Sequence, residues 1–187
     1  MGGTPEIPQE ALMSHEREGT VDRSPAFRAL MGDYATGATI VTAGCDAGPH
    51  GLAVNSFTSV SMSPQLISFC PDKASETWPA VRDAAFFAVN ILAHGQHDVC
   101  RQFARKGVDR FEGVGYHRSP NGCPILAGSL GYLECELVDV VDAGDHHIAI
   151  GHVIDIHHDA DQHPLIYYQG GFHRLEPYES ESGLRAS

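Results

Sequence analysis

The chain of 187 residues predicts a mainly β fold: a closed or partly closed antiparallel barrel with short helices at its periphery. Three observations predict it. Short β-branched runs outnumber helical ones. Two long strand-like segments, Leu130 to Val141 and His146 to His158, meet at Asp142-Ala143-Gly144-Asp145, a strong hairpin signal. No internal repeat or low-complexity segment interrupts the series.

The elements follow in order. Ser24-Pro25 opens a helix, with a hydroxyl at the N-cap and proline at the first helical position. Phe27, Leu30, Met31 and Tyr34 give it one apolar stripe, expected to be buried. Ala38 to Thr42 is a β-branched strand, and 44–51 supplies a turn. Asn55 to Pro64, NSFTSVSMSP, reads as the next strand and Gln65 to Cys70 as a third. A short helix over Ser75 to Val81 precedes a strand over Phe86 to Leu92, and 96–104 is helical. Residues 107–128, rich in Gly, Pro and Asn, form a long ordered excursion. In the second long strand Ile148, Ile150, Ile154 and Ile156 share one face by the two-residue period, with His146 and His152 beside them. A final hairpin pairs 165–168 with 172–175 around Gly170-Gly171. Residues 24–176 thus form one domain, between a loose extension over 1–23 and a tail over 177–187.

Composition excludes several functions. Twelve Lys and Arg against 24 Asp and Glu give a net charge of −12, which argues against a nucleic-acid backbone as partner. No apolar run approaches the roughly 18 residues needed to cross a bilayer, and the N-terminus has no signal-peptide pattern. The five cysteines form no CxxC pair and read as reduced packing residues of a cytoplasmic protein.

Several stretches admit two readings. The hydroxyls of Asn55 to Pro64 suit an edge strand facing water, or a bed of neutral donors and acceptors for a flat, polar-edged ligand. Asp72-Lys73-Ala74-Ser75-Glu76-Thr77 is either a capped surface helix or a phosphate site. Gly144-Asp145-His146 is either turn chemistry or a corner that offers an imidazole to a cofactor. His157 to His163 reads as a solvated loop, because its spacing fits no closed metal site. Glu134 and Glu136 are expected on the wet face of their strand. No P-loop, GxSxG or GxGxxG pattern is present, so any dinucleotide lies outside a Rossmann crevice.

Seven motifs in order, from about Phe27 to Leu175, resemble the flavin reductase family with an FMN-binding split barrel, the small reductase components of two-component flavin monooxygenases. They are 36–42 (TGATIVT), 51–61 (GLAVNSFTSVS) leading to Pro64, 73–77 (KASET), 87–92 (FAVNIL), Phe111-Glu112-Gly113, Gly144-Asp145-His146 and 164–168 (PLIYY). The resemblance implies a six-stranded Greek-key split barrel working as a homodimer, with FAD or FMN near the subunit interface. It implies that Thr36, Gly37, Ala38 and Thr39, with Asn55, Ser56, Phe57 and Ser61, cradle the ring and ribityl chain. It places the phosphate at Lys73, Ser75 and Thr77, and adds Asn90 and Phe111 to the cofactor-binding set. His146, beside Asp145 and with Phe172 and Arg174, marks the nicotinamide side and is the catalytic candidate; no metal is implied.

The activity so implied is reduction of free flavin by NAD(P)H for a separate monooxygenase. Neutral hydroxyls can pair with the polar edge of an isoalloxazine without burying net charge. Hydride transfer needs positioning rather than a protein acid or base. A single lysine at the phosphate suits an exchangeable flavin, FAD or FMN, with FAD expected to be accepted. NADH is expected over NADPH, because no arginine cluster is evident for a 2′-phosphate. A flavin-binding sensor or carrier, and an oxidase acting on its own organic substrate, are the competing readings.

Overall fold

The computed structural model describes residues 23–45 and 48–176, and the expectations for 1–22 and 177–187 lie outside them. The chain divides between Asp33 and Tyr34 into two units. The described part of the first is helix α1 (Ser24–Gly32), whose N-cap is Arg23 rather than Ser24, without a side-chain cap. Its expected buried stripe is instead exposed, Phe27 at 65% and Leu30 at 68%.

The second unit is mainly β. Its strands are β1 (Thr36–Gly37), β2 (Thr39–Cys45), β3 (Gly48–Val54), β4 (Thr58–Met62), β5 (Gln65–Phe69), β6 (Phe86–Ile91), β7 (Tyr116–Arg118), β8 (Pro124–Leu126), β9 (Gly131–Ala143), β10 (His146–His158), β11 (Ile166–Tyr168) and β12 (Gly171–His173). Helices α2 (Trp78–Asp83) and α3 (His97–Ala104) flank them. The main sheet is antiparallel and carries seven strands, not the six expected, in the order β3-β2-β6-β9-β10-β5-β4. Two small sheets, β1-β11-β12 and β7-β8, complete it; the second falls within the expected excursion over 107–128.

The core packs Phe69, Trp78 and Phe87 edge-on with Val41, Val89 and Ala149. A second cluster joins Ala38, Ile40, Leu92, Phe103 and Leu165. The two-residue period of β10 puts Ala149, Gly151 and Val153 on the core face and the isoleucines on the other, where Ile148 and Ile150 are half-buried and Ile154 and Ile156 exposed. Val153 faces Cys135 and Asp155 faces Glu134, which leaves Ile154 as the extra residue of a bulge. Gly151 is required where it stands, because a Cβ there would meet the Phe87 ring at 2.6 Å.

Glu134 is also corrected. It is 2% exposed rather than wet, and accepts a hydrogen bond from Ser119 Oγ, while Glu136 does face solvent. Ser119 lies just past β7, so the excursion supplies the donor that allows a carboxylate to be buried. Burial pushes the neighbouring Cys123 thiol up to about 12, aided by its hydrogen bond to Glu134. Cys100, Cys123 and Cys135 are buried free thiols and Cys70 is half-buried.

Candidate functional site

The hydroxyl-rich stretch divides in two. Strand β3 ends at Val54, so Asn55, Ser56 and Phe57 leave the ladder, and only Thr58–Met62 is strand. That strand is an edge of the main sheet and largely exposed, with Val60 bulged between Ser59 and Ser61. Ser61 Oγ accepts the Ser63 N–H at 3.3 Å, so this residue serves the turn. Phe57 packs against the core. Ser56 Oγ receives the Cys70 N–H at 2.8 Å and pins the start of the connection to the end of β5.

At that point two clefts meet. The first, of about 270 Å³, is lined by Leu52 to Ser56, by 70–72, Ser75 and Glu76, and by Phe103, Lys106, Arg110 and His146. The second, of about 390 Å³, adds Ala38, Cys100, Arg101, Tyr167, Gly170 and Phe172. They share Ala53, Val54, Asn55 and Ala104. A third cleft of about 240 Å³, holding His50, Thr77 and Phe111, adjoins the first at Glu76 and Arg110.

The expected site residues fall into three groups. Ala38, Asn55, Ser56, Ser75, His146 and Phe172 line the two joined clefts, with Thr77 and Phe111 in the third. Others have side chains committed to the fold. Thr39 Oγ1 donates to the Val54 carbonyl at 2.8 Å. Asn90 is fully buried, donates to Ile40 O and Thr42 Oγ1, and accepts the Leu126 N–H at 2.8 Å. It braces three strands and lines none of these three clefts. Thr36 and Gly37 pair with Tyr167 and Ile166 in the small sheet, and Thr36 Oγ1 is buried without a hydrogen-bond partner. Arg174 follows β12 and is exposed.

The turn over 72–77 differs from the capped helix expected. Helix α2 starts only at Trp78, whose N–H donates to Ser75 Oγ at 3.3 Å. Lys73 Nζ donates to Asp142 Oδ1 and to the Gly144 carbonyl, both at 2.6 Å. That hydrogen bond holds the Asp142 carboxyl below the usual carboxylate range. Thr77 Oγ1 accepts from Arg110 Nη1 at 2.7 Å.

At the hairpin corner Ala143 pairs with His146, which leaves Gly144 and Asp145 as a two-residue loop. Gly144 has φ of 65°, a conformation open to glycine. His146 Nδ1 lies 2.7 Å from Asp145 Oδ1, and this hydrogen bond keeps the Asp145 carboxyl below its ordinary range. With the Nδ1 proton given to a carboxylate, Nε2 is the ring nitrogen left for a ligand.

Arg110 was missed from sequence. Its Nη1 donates to the Gly51 carbonyl at 2.7 Å as well as to Thr77, and its Nε to the Arg105 carbonyl at 2.9 Å. Burial lowers its pKa, opposed by the charge of Glu76. Arg101 stands 5.3 Å over the Phe172 ring. Arg101, Lys106 and Arg110 are spread along helix and turn, so their convergence on the clefts has no compact sequence signature. The nearest signal is Arg110's place beside Phe111-Glu112-Gly113.

The joined clefts fit a flavin. Ala38, Ala53, Val54, Cys100 and Phe172 offer an apolar wall, and Asn55, Ser56, Ser75 and His146 offer polar hydrogen-bonding groups. Among the described residues, no group of three His, Cys, Asp or Glu side chains is placed to hold a metal, and no helix is long and apolar enough to cross a membrane.

Comparison with known proteins points the same way. Residues 31–176 match the flavin reductase like domain. A flavin reductase of Pseudomonas putida is 44% identical over 147 residues, covering 78% of this chain and 86% of the relative. The flavin-dependent monooxygenase reductase subunit HsaB of Rhodococcus jostii is 40% identical over 151 residues, covering 81% and 77%. The Streptomyces globisporus NADH:FAD oxidoreductase SgcE6, solved with NAD and FAD fragments, superposes with a TM-score of 0.80 at 34% identity over 86% of this chain and 99% of that one.

Proposed function

The chain belongs to the flavin reductase family, and we propose that its joined clefts seat flavin along Ala53, Val54 and Asn55 while a reduced nicotinamide enters from the side of His146. The protein is an NAD(P)H:flavin oxidoreductase that supplies reduced flavin to a separate monooxygenase. The observation that carries this reading is the meeting of apolar wall, neutral polar groups and the His146 corner in one continuous depression.

When bound, flavin supplies N5 as the hydride acceptor. The chain's residues bind and orient. Ala38, Val54 and Phe172 exclude water from the ring faces, and Asn55 meets the polar edge with neutral hydrogen-bonding groups. Ser75 at the floor of the first cleft faces the phosphate, and Arg101 and Lys106 supply cationic charge at the walls for the dinucleotide's phosphates. His146, its Nδ1 fixed by Asp145, orients the nicotinamide through Nε2. NADH is the proposed donor, and both FAD and FMN are accepted.

The working unit is proposed to be a homodimer. Val60, Val138 and Ile154, each the extra residue of a bulge, expose aliphatic surface on β4, β9 and β10. Val60 and Val138 fall near the level of Gly151 across β4-β5-β10-β9, and this exposed aliphatic surface is proposed to meet a second copy. Sedimentation equilibrium tests it, and a monomer at micromolar concentration overturns it.

The activity test mixes protein, NADH and free FAD or FMN and follows the nicotinamide absorbance. Loss of NADH far beyond the protein concentration supports the reductase. Stoichiometric loss indicates a flavin-binding carrier, and turnover that needs an added organic substrate indicates an oxidase.

A further inference from the structure

We propose that Lys73 is a positioning residue that acts on nicotinamide through His146, by clamping the Gly144–His146 corner, rather than a ligand of the flavin phosphate. This rests on the reading of His146 given above.

The ammonium group has three N–H donors, and two are spent on the corner, at Asp142 Oδ1 and Gly144 O. Both acceptors belong to the two-residue loop or its threshold. The backbone continues the same seam. Lys73 N–H donates to the Asp145 carbonyl and His147 N–H to the Pro71 carbonyl, each at 3.0 Å, with Asp72 and His146 bridged between them. The loop therefore hangs from 71–73, and among the described residues Lys73 supplies the side-chain anchors to 142 and 144, while Trp78 Nε1 donates to His147 Nδ1 just beyond the corner.

The chain of contacts leads to the imidazole. Asp145, whose carbonyl is held by Lys73 N–H, offers its carboxylate to His146 Nδ1. If the Lys73 anchors are lost, the peptide between Gly144 and Asp145 is free to rotate about a glycine, and Asp145 no longer presents a fixed acceptor. An ion pair this exposed, with side chains 33% and 68% accessible, adds little to global stability. Its effect is local, on one loop and the ring beside it.

The test is a cycle of K73M, H146A and the double variant, assayed for NADH oxidation with FMN and with riboflavin. D142N removes one anchor without touching the 71–77 turn. K73M is expected to lower kcat/KM for NADH about tenfold, short of the roughly hundredfold that a 1 Å misplacement can cost. The loss is equal with FMN and riboflavin, and K73M adds nothing once His146 is alanine. D142N shows a smaller loss in the same pattern. In flavin-free protein, K73M shifts the imidazole 15N signals of His146.

A rise in KM for FMN without one for riboflavin overturns the proposal, since Lys73 would then be a phosphate ligand. So does a K73M loss that persists undiminished in the H146A background, or an unmoved His146 signal. If H146A slows turnover and K73M does not, the proposal alone falls. If H146A leaves NADH kinetics unchanged, the reading of His146 falls with it.

Discussion

His146 and Asp145 are consecutive in the chain and bonded side chain to side chain, Nδ1 to Oδ1 at 2.7 Å, across the tip of the longest hairpin. Neighbours on a strand point to opposite faces; here the loop turns them together. The pair gives the first cleft an imidazole of fixed orientation.

His146→Ala is expected to slow flavin reduction or raise KM for NADH about tenfold or more, with flavin affinity largely intact. Stopped-flow reduction and flavin titration separate the two. Loss of flavin binding with normal NADH affinity would reverse the assignment of sides.

Ser75→Ala is expected to weaken FMN and FAD by about 1 kcal/mol, the net contribution of one hydrogen bond, and to leave riboflavin unchanged. Thr77→Ala differs, because Thr77 Oγ1 is already held by Arg110. It acts on the loop and weakens all three flavins alike. Fluorescence titration with each flavin distinguishes the two patterns.

Gly151→Ala places a methyl 2.6 Å from the Phe87 ring, between Cys135 and Ile67 at 3.2 Å each. Destabilisation of about 1–3 kcal/mol is expected by urea unfolding. Phe87→Leu in the same chain relieves part of it; an additive pair would show that the ring is not the obstacle.

Burial pushes Cys100 up to about 11 and Cys123 and Cys135 to about 12, from an ordinary 9.0. The folded state keeps these thiols protonated, so their contribution to stability is intact below pH 9 and is lost as pH rises through the window from 9 to about 12. At pH 8, iodoacetamide mapped by peptide mass is expected to modify half-buried Cys70 well before those three. Early labelling of Cys123 would contradict its burial with Glu134.

Much of the fold was legible, because it rests on local rules. The Asp142–Asp145 turn, the β-branched run at 38–42 and the Gly170 hairpin each carry their own signal. What alternation left open was which face of a strand meets the core: Ile148, Ile150, Ile154 and Ile156 share a face, and it is the opposite one, with Ala149, Gly151 and Val153, that is buried. Glu134 looks wet until Ser119, 15 positions away, arrives to bond it. Of the candidate site residues, Asn55, Ser56, Ser75, His146 and Phe172 line the two joined clefts, whereas Asn90 and Thr39 tie strands together. Type and spacing cannot separate a polar side chain that feeds a cleft from one that ties strands. Arg110 escaped because its partners, Gly51 and Thr77, are remote in the chain.

Strand β4 ends the seven-stranded sheet with one backbone flank unpaired among the described residues, and it carries no charged side chain to deter a visitor. Uncharged rims of this kind are where concentrated proteins zip together into fibrils. Val60, bulged from the middle of the strand, breaks the rhythm of outward N–H and C=O groups, so an incoming strand can match only two or three in a row. The kink thus guards this uncharged border.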